Sequence, residues 1–328
     1  MLYYALGRVD GSKSKIENHT MSLLFIAPNR DLEVWKKALL EKDSNLDIEI
    51  WPKVENKERV TFAVCWNHPK NVLGNYPNLQ VVSSLGAGVN HLLADEALPK
   101  KVRISRIVTP SLKNQLAEYL LNSVLNYRNH IPRYVDQKRE GYWAQHSAVS
   151  KSDCTIGIMG MGEMGITAAQ LFLLNGYNVV GWSKSKKEIE GITCYSESER
   201  DDFLAQTNIL ICLLPLTEKT EGILDLELFK KLKKPAYVIN AGRGEHLVEE
   251  DLIYGIDTNA LEGACLDVFE EEPLPSNHLF WNRPKIMITP HIAAITDPLE
   301  GAEIILENYK RALSGMALIN EVIREKGY

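Results

Sequence analysis

Short apolar runs alternate with helical periodicities along most of the chain. Between residues 22 and 84, the runs 22–27, 47–51, 61–64 and 80–84 predict four strands. Residues 31–41 place Leu32, Trp35, Leu39 and Leu40 on one side, which predicts a helix. Strands alternating with helices imply a parallel sheet with crossover connections. A longer helical pattern covers about 112–130, where Leu116, Tyr119, Leu120, Ser123, Val124 and Tyr127 recur at three-to-four spacing. Pro132 interrupts it. A second alternation begins at Thr155, with six strands predicted at 155–159, 178–182, 209–213, 236–240, 263–266 and 286–289. Helical patterns fall at about 164–175, 198–205, 225–232 and 247–257, the rhythm of a doubly wound dinucleotide fold. A last helix, near 298–314, is expected to return to the first domain.

The expected architecture is therefore α/β: two Rossmann-like or flavodoxin-like domains of doubly wound parallel sheets, with a cleft between them. Residues 21–122 plus 293–328 are expected to form the substrate (catalytic) domain, and 123–292 the dinucleotide-binding domain. Residues 1–20 read as an extension of unknown role, loosely attached or a start-site artefact, with Met21 opening the functional fold.

Composition narrows the function classes. The 328 residues suggest about two domains at ~150 residues each. A hydrophobic share of 45% is enough to offset ordering entropy, which excludes disorder along most of the chain. The net charge of −6 gives no support for a nucleic-acid partner. No run reaches the ~18 apolar residues of a membrane span, and residues 1–6 are too short for a signal-peptide core. The five cysteines are odd in number and show no CxxC spacing, so reduced core thiols in the cytoplasm are expected. No metal-ligand spacing is present, and no metal is expected.

The first candidate chemistry is the run from Thr155 to Gly165, where Gly160, Gly162 and Gly165 form GxGxxG between a predicted strand and helix. The first glycine permits a tight turn, the second close approach of a pyrophosphate, and the third close helix–strand packing. Met161, Glu163 and Met164 complete the loop, whose helix N-terminus offers free N–H groups to phosphates. The next strand ends at Trp182, followed by Ser183-Lys184-Ser185-Lys186-Lys187 rather than the carboxylate that holds ribose hydroxyls in NAD-specific folds. Hydroxyls beside lysines suit a 2′-phosphate. The competing reading is a solvated basic loop, and position after the second strand favours the phosphate. NADP (NADPH) is thus the expected cofactor, with NAD at lower affinity.

Several further segments carry a resemblance. They are Leu214-Pro215 through Thr220, Asn240-Ala241-Gly242-Arg243-Gly244-Glu245, Asp267 through Glu272-Pro273, and Thr289-Pro290-His291-Ile292-Ala293-Ala294. With the glycine loop, and with Ser84-Leu85-Gly86-Ala87-Gly88-Val89-Asn90-His91, their order and spacing resemble the D-isomer-specific 2-hydroxyacid dehydrogenase family. The stretch Trp182–Ser185 and the Gln115…Glu118-Tyr119 helix are most similar to its glyoxylate/hydroxypyruvate reductase branch. The resemblance covers about residues 22–328. It implies NADPH-dependent reduction of a small 2-keto acid to the 2-hydroxy acid, a homodimer, and catalytic roles for Arg243, Glu272 and His291. It also implies that the backbone of Ala87, Gly88 and Val89 cradles the substrate carboxylate, and that Leu214, Pro215, Thr220, Ala241, Gly242 and Asp267 line the cofactor.

The residue types suit the chemistry independently. Arg243 offers a charged fork for carboxylate and carbonyl oxygens. His291 offers a proton near neutral pH, since imidazole starts from ~6.5. Glu272 can hold the other ring nitrogen and favour the imidazolium. Asp267 is expected either at the nicotinamide-side ribose or ordering the loop. Trp66, Tyr142 and Trp143 are candidate pocket walls, Trp66 being retained as a substrate-site residue, and the aromatics of 112–147 are candidate partner surface. His68, His91, His130, His146, His246 and His278 match no role. Two alternatives stay open: the same machinery acting on phosphoglycerate or a branched 2-keto acid, and a cofactor-sensing interaction protein.

Overall fold

The computed structural model describes residues 22–327, so the expectations for residues 1–20 and Met21 lie outside it. The first half of the chain forms β1 (Ser22–Ile26), α1 (Glu33–Lys42), β2 (Asp47–Ile50), β3 (Val60–Cys65), β4 (Val81–Ser84), α2 (Asn90–Leu93) and β5 (Arg103–Ser105). Helices α3 (Pro110–Arg128) and α4 (Ile131–Glu140) follow. The second half forms β6 (Thr155–Met159), α5 (Glu163–Leu174), β7 (Asn178–Trp182), β8 (Thr193–Tyr195), α6 (Arg200–Gln206) and β9 (Ile209–Cys212). It continues through α7 (Leu226–Lys231), β10 (Tyr237–Asn240), α8 (Glu249–Asp257), β11 (Gly263–Leu266), β12 (Ile286–Ile288) and α9 (Pro298–Leu313).

Two wholly parallel sheets result. The first has order β2-β1-β3-β4-β5. Its central strands β1 and β3 are buried at every position, because parallel sheets carry helices on both faces. Trp35 and Leu39 of α1 pack with Ile305 and Tyr309 of α9 on one of those faces. The second sheet has order β12-β11-β10-β9-β6-β7-β8, with the reversal at β6 where a dinucleotide fold places its ligand crevice.

Two edge strands escape the sequence pattern. β5 and β8 have three residues each, and each borders only one strand. The second sheet thus has seven strands where the apolar runs predict six. The long helix starts at Pro110, earlier than its apolar stripe suggests, because Thr109 caps it by accepting the Leu112 N–H. Proline is tolerated in that first turn. Pro132 likewise sits in the first turn of α4, and His130 (φ 55°) makes the corner between α3 and α4. Leu116, Leu120, Val124 and Tyr127 of α3 all pack into the second sheet's core, so residues 122 and 123 fall inside one helix.

Candidate active site

The glycine loop joins β6 to α5. Gly160 has φ 111°, and a Cβ there would sit 2.6 Å from the Leu213 carbonyl oxygen. A Cβ on Gly165 would lie 2.0 Å from the Gly160 oxygen, so only glycine lets α5 cross the loop this closely. A Cβ on Gly162, by contrast, would meet nothing within 4 Å. Gly162 precedes α5 without any side-chain cap, leaving the helix's positive end and its N–H groups facing open space. Met161 is buried against Gly181. Glu163 occupies the first turn, and Lys113 Nζ neutralises it at 3.2 Å. The loop fits the pyrophosphate of a dinucleotide.

Beyond β7, Trp182 is buried and Ser183 half-buried. Ser183 Oγ donates to the Ser185 carbonyl at 2.8 Å, which folds the turn and exposes Lys184 and Ser185. Lys186 pairs with Glu199 at 2.9 Å. Glu199 is held down to about 2, first by the Ser196 backbone N–H, then by the Ser196 hydroxyl and Lys186. Lys184 and Lys187 are exposed and enter no ion pair with the described residues. In the loop after β9, Leu214 is buried, and Thr220 Oγ1 donates to the Pro215 carbonyl at 2.7 Å while accepting the Thr217 N–H. The Thr220 hydroxyl therefore shapes that turn.

Arg243 follows β10 on the turn Ala241-Gly242. Asn240, fully buried, accepts the Gly242 N–H at 3.1 Å and donates to the Arg243 carbonyl at 2.9 Å. His246 Nδ1 accepts the Arg243 N–H at 3.1 Å. The Arg243 Nε donates to Asn90 Oδ1 at 2.8 Å, and Nη1 donates to the Gly242 carbonyl. A Cβ on Gly88 would fall 1.4 Å from Arg243 Nη2, so the guanidinium lies directly on the backbone of the 86–89 loop. Burial lowers the arginine's pKa, and the charges of Glu245 and Glu272 oppose that.

The 86–89 loop is fixed by Ser84, whose Oγ donates to the Gly88 carbonyl at 2.6 Å and accepts the Gly86 N–H at 3.3 Å. Among the described residues, none accepts a hydrogen bond from the N–H of Ala87, Gly88 or Val89. Unpaired donors beside a guanidinium form an anion cradle. Trp66 stands next to it, with Gly86 making room for its ring.

His291 has φ 53°, a left-handed conformation that directs the chain after β12. Its Nδ1 meets Glu272 Oε2 at 2.7 Å, while Glu272 Oε1 accepts the Phe269 N–H at 3.0 Å. Burial pushes the Glu272 carboxyl up. The hydrogen bond and charge of His291, the Phe269 N–H and the Arg243 charge outweigh it, and the net direction is down. Glu272 is therefore a carboxylate at neutral pH, oriented to keep a proton on Nδ1. His291 Nε2 has no partner among the described residues.

Asp267 is 1% exposed. Its Oδ1 accepts the Thr289 hydroxyl and the Ile292 N–H at 2.6 and 2.8 Å, and its Oδ2 accepts the Ala293 N–H at 2.9 Å. Of its two expected roles, this geometry is that of ordering the His291 loop. Tyr142 and Trp143 are 61% and 92% exposed and do not line this chain's cavity, whereas Trp66 does. Asn90 and Asn240, inside motif segments, are positioning residues that the sequence pattern did not single out; His246, expected to match no role, is corrected to a third, directly after the Arg243 segment.

These groups surround one cavity of about 330 Å³. Trp66, Gly86, Ala87 and Gly88 reach it from the first sheet, and Met164, Arg243 and His291 from the second. The Trp66 and His291 rings lie 6.3 Å apart, edge to face. A shallower depression of about 530 Å³ over residues 186–195 holds none of the catalytic candidates.

The sequence and the fold both match known proteins. Residues 121–293 match the family described as D-isomer specific 2-hydroxyacid dehydrogenase, NAD binding domain. The chain is 37% identical over 94% of its length to the glyoxylate/hydroxypyruvate reductase A of Photorhabdus laumondii, all of which it covers. It belongs to the D-isomer-specific 2-hydroxyacid dehydrogenase family. Among solved structures, a 2-hydroxyacid dehydrogenase from Xanthobacter autotrophicus, in complex with NADPH and MES, superposes with TM-score 0.89. The two are 32% identical, over 94% of this chain and 100% of that one. The NADPH-dependent glyoxylate/hydroxypyruvate reductase of Sinorhizobium meliloti, in complex with NADP and sulfate, gives 0.88 at 33% identity over the same shares. Family membership makes the chain an oxidoreductase of two parallel α/β sheets. Among its described residues, no helix is long and apolar enough to cross a membrane.

Proposed function

We propose that this chain reduces glyoxylate and hydroxypyruvate to the corresponding 2-hydroxy acids with NADPH. One observation carries the reading: Arg243, the Ala87–Gly88 backbone with its unpaired N–H groups, and His291, held from behind by Glu272, line a single cavity. The relatives named above add the substrate and cofactor class. Residues 160–165 would hold the pyrophosphate, and Ser183, Lys184 and Ser185 the 2′-phosphate, with Leu214, Ala241 and Gly242 beside the rest of the cofactor. When bound, NADPH supplies the hydride.

The chain supplies everything else. The 87–89 N–H groups and Arg243 bind the substrate carboxylate, and Arg243 also draws charge onto the carbonyl oxygen. His291 Nε2 gives its proton to that oxygen as charge develops, and Glu272 stabilises the imidazolium before transfer. Trp66 covers the substrate from the first sheet and excludes water. We assign substrate binding to the domain of 21–122 plus 293–328 and cofactor binding to 123–292, with α3 carrying the connection. The five buried free thiols suit the cytoplasm, and the exposed aromatics Tyr142 and Trp143 suit a homodimer interface.

The test is steady-state reduction of both keto acids with each nicotinamide cofactor. The wild type is expected to favour NADPH over NADH, and Lys184→Ala to lose about ten- to a hundredfold of that preference, since a charge-assisted bond is worth roughly 1.5–3 kcal/mol. NADH preference in the wild type would overturn the cofactor assignment, and absence of turnover with either acid would overturn the reaction.

A further inference from the structure

Arg30 is a second cation at this cavity, and the mechanism above does not use it. It follows β1 and lies in the turn before α1, exposed at the same cavity as Arg243 and His291. Its guanidinium sits over the Trp66 ring, 5.6 Å from the centroid. That ring meets His291 edge to face, so a single indole separates Arg30 from the proton donor. Stacking on the aromatic face holds the cation in place without neutralising it.

The neighbouring carboxylates make their bonds to other groups, although Asp31 keeps its charge and, among the described residues, one oxygen free at the cavity. Asp31, on the same cavity, accepts the Glu33 N–H at 3.1 Å. Asp297 caps α9 through the Leu299 and Glu300 N–H groups. Asp267 and Glu272 are held by the His291 loop and by His291. Arg30 forms no ion pair with the described residues. A small cleft thus presents two guanidinium groups, one at the reacting end and one beyond the Trp66 wall. A two-carbon acid gives the second cation nothing to bind.

We infer that Arg30 is a specificity-determining residue which binds a second negative group of the substrate, so that the chain favours 2-keto acids carrying a distal carboxylate. This rests on the reductase reading of the same cavity. A planar fork is suited to a carboxylate arriving along the Trp66 face.

Wild type, Arg30→Met and Arg30→Lys would be assayed on length-matched pairs: 2-oxoglutarate with 2-oxopentanoate, and 2-oxoadipate with 2-oxohexanoate. Glyoxylate is the reference. The wild type is expected to prefer the diacid of at least one pair by about tenfold or more in kcat/KM. Arg30→Met should abolish that preference and leave glyoxylate nearly unchanged, and Arg30→Lys should retain part of it. A wild type without diacid preference, or a preference that survives in Arg30→Met, overturns the inference. If neither glyoxylate nor hydroxypyruvate is turned over, the reductase reading fails separately. Binding then decides on Arg30: malonate and succinate should perturb tryptophan emission at lower concentration than acetate and propionate, and only while Arg30 is present. Equal binding of both classes, or binding unaffected by Arg30→Met, overturns it.

Discussion

Replacing Arg243 with methionine is expected to lower kcat/KM for glyoxylate about a thousandfold, on the order of 4 kcal/mol of transition-state stabilisation. The size follows from position. Two of its nitrogens already donate to Asn90 and Gly242, so the fork is held before substrate arrives, and Nη2 lies on the Gly88 backbone where the anion cradle opens. Pre-ordering means that little of the interaction is lost to side-chain entropy. Arg243→Lys should recover only a small part, because a single ammonium nitrogen replaces a planar fork whose Nε faces Asn90 and whose Nη2 faces the cradle. NADPH affinity, measured by fluorescence titration, should stay within a few-fold. A large loss of cofactor binding would place Arg243 in the cofactor site instead. Near-normal turnover in Arg243→Met would remove it from the mechanism.

His291→Gln is expected to lower kcat for reduction by about a hundredfold to ten-thousandfold, the range of a single positioned acid. The pH dependence carries the sign. Reduction consumes the proton on Nε2, so the wild-type rate should fall as pH rises through the histidine's titration. Oxidation of the hydroxy acid should rise over the same interval. Glu272 holds the ring through Nδ1 at 2.7 Å, so Glu272→Gln should lower kcat for reduction about tenfold or more. Because the Glu272 carboxyl is held below its ordinary range, its charge persists in mildly acidic solution and reduction should persist with it. A reduction rate that is flat into alkaline pH, or a kcat unchanged in Glu272→Gln, would count against this pair.

The strands with strong apolar runs were legible in the sequence, and 155–159, 178–182 and 263–266 agree with β6, β7 and β11 to the residue. β5 and β8 were not, because a three-residue edge strand needs neither a long run nor alternation. Pro132 reads as a break in any helix, yet proline also opens helices, and only tertiary packing distinguishes the two outcomes. In the site, the charged residues could be named because carboxylate recognition and proton transfer need those types. Their supports could not. Asn90 reaches Arg243 across 153 residues of chain, and nothing in an asparagine says which amide or guanidinium it will meet. Asp267 shows the opposite difficulty: its type allowed two roles, and burial beside three loop donors gives the geometry of one. Tyr142, Trp143 and Trp66 are alike in type, and only the fold places Trp66 in the cavity and leaves the other two exposed.

In this mechanism a guanidinium, an imidazole–carboxylate pair and a cradle of backbone N–H groups meet at one carbonyl. A crystal structure with NADP and oxamate, an inert analogue of glyoxylate, would show it. The oxamate carboxylate is expected on the 87–89 N–H groups and Arg243, and its carbonyl oxygen about 2.7–3.2 Å from His291 Nε2. Oxamate bound elsewhere, or bound in the cleft with its carbonyl turned away from His291, would contradict it.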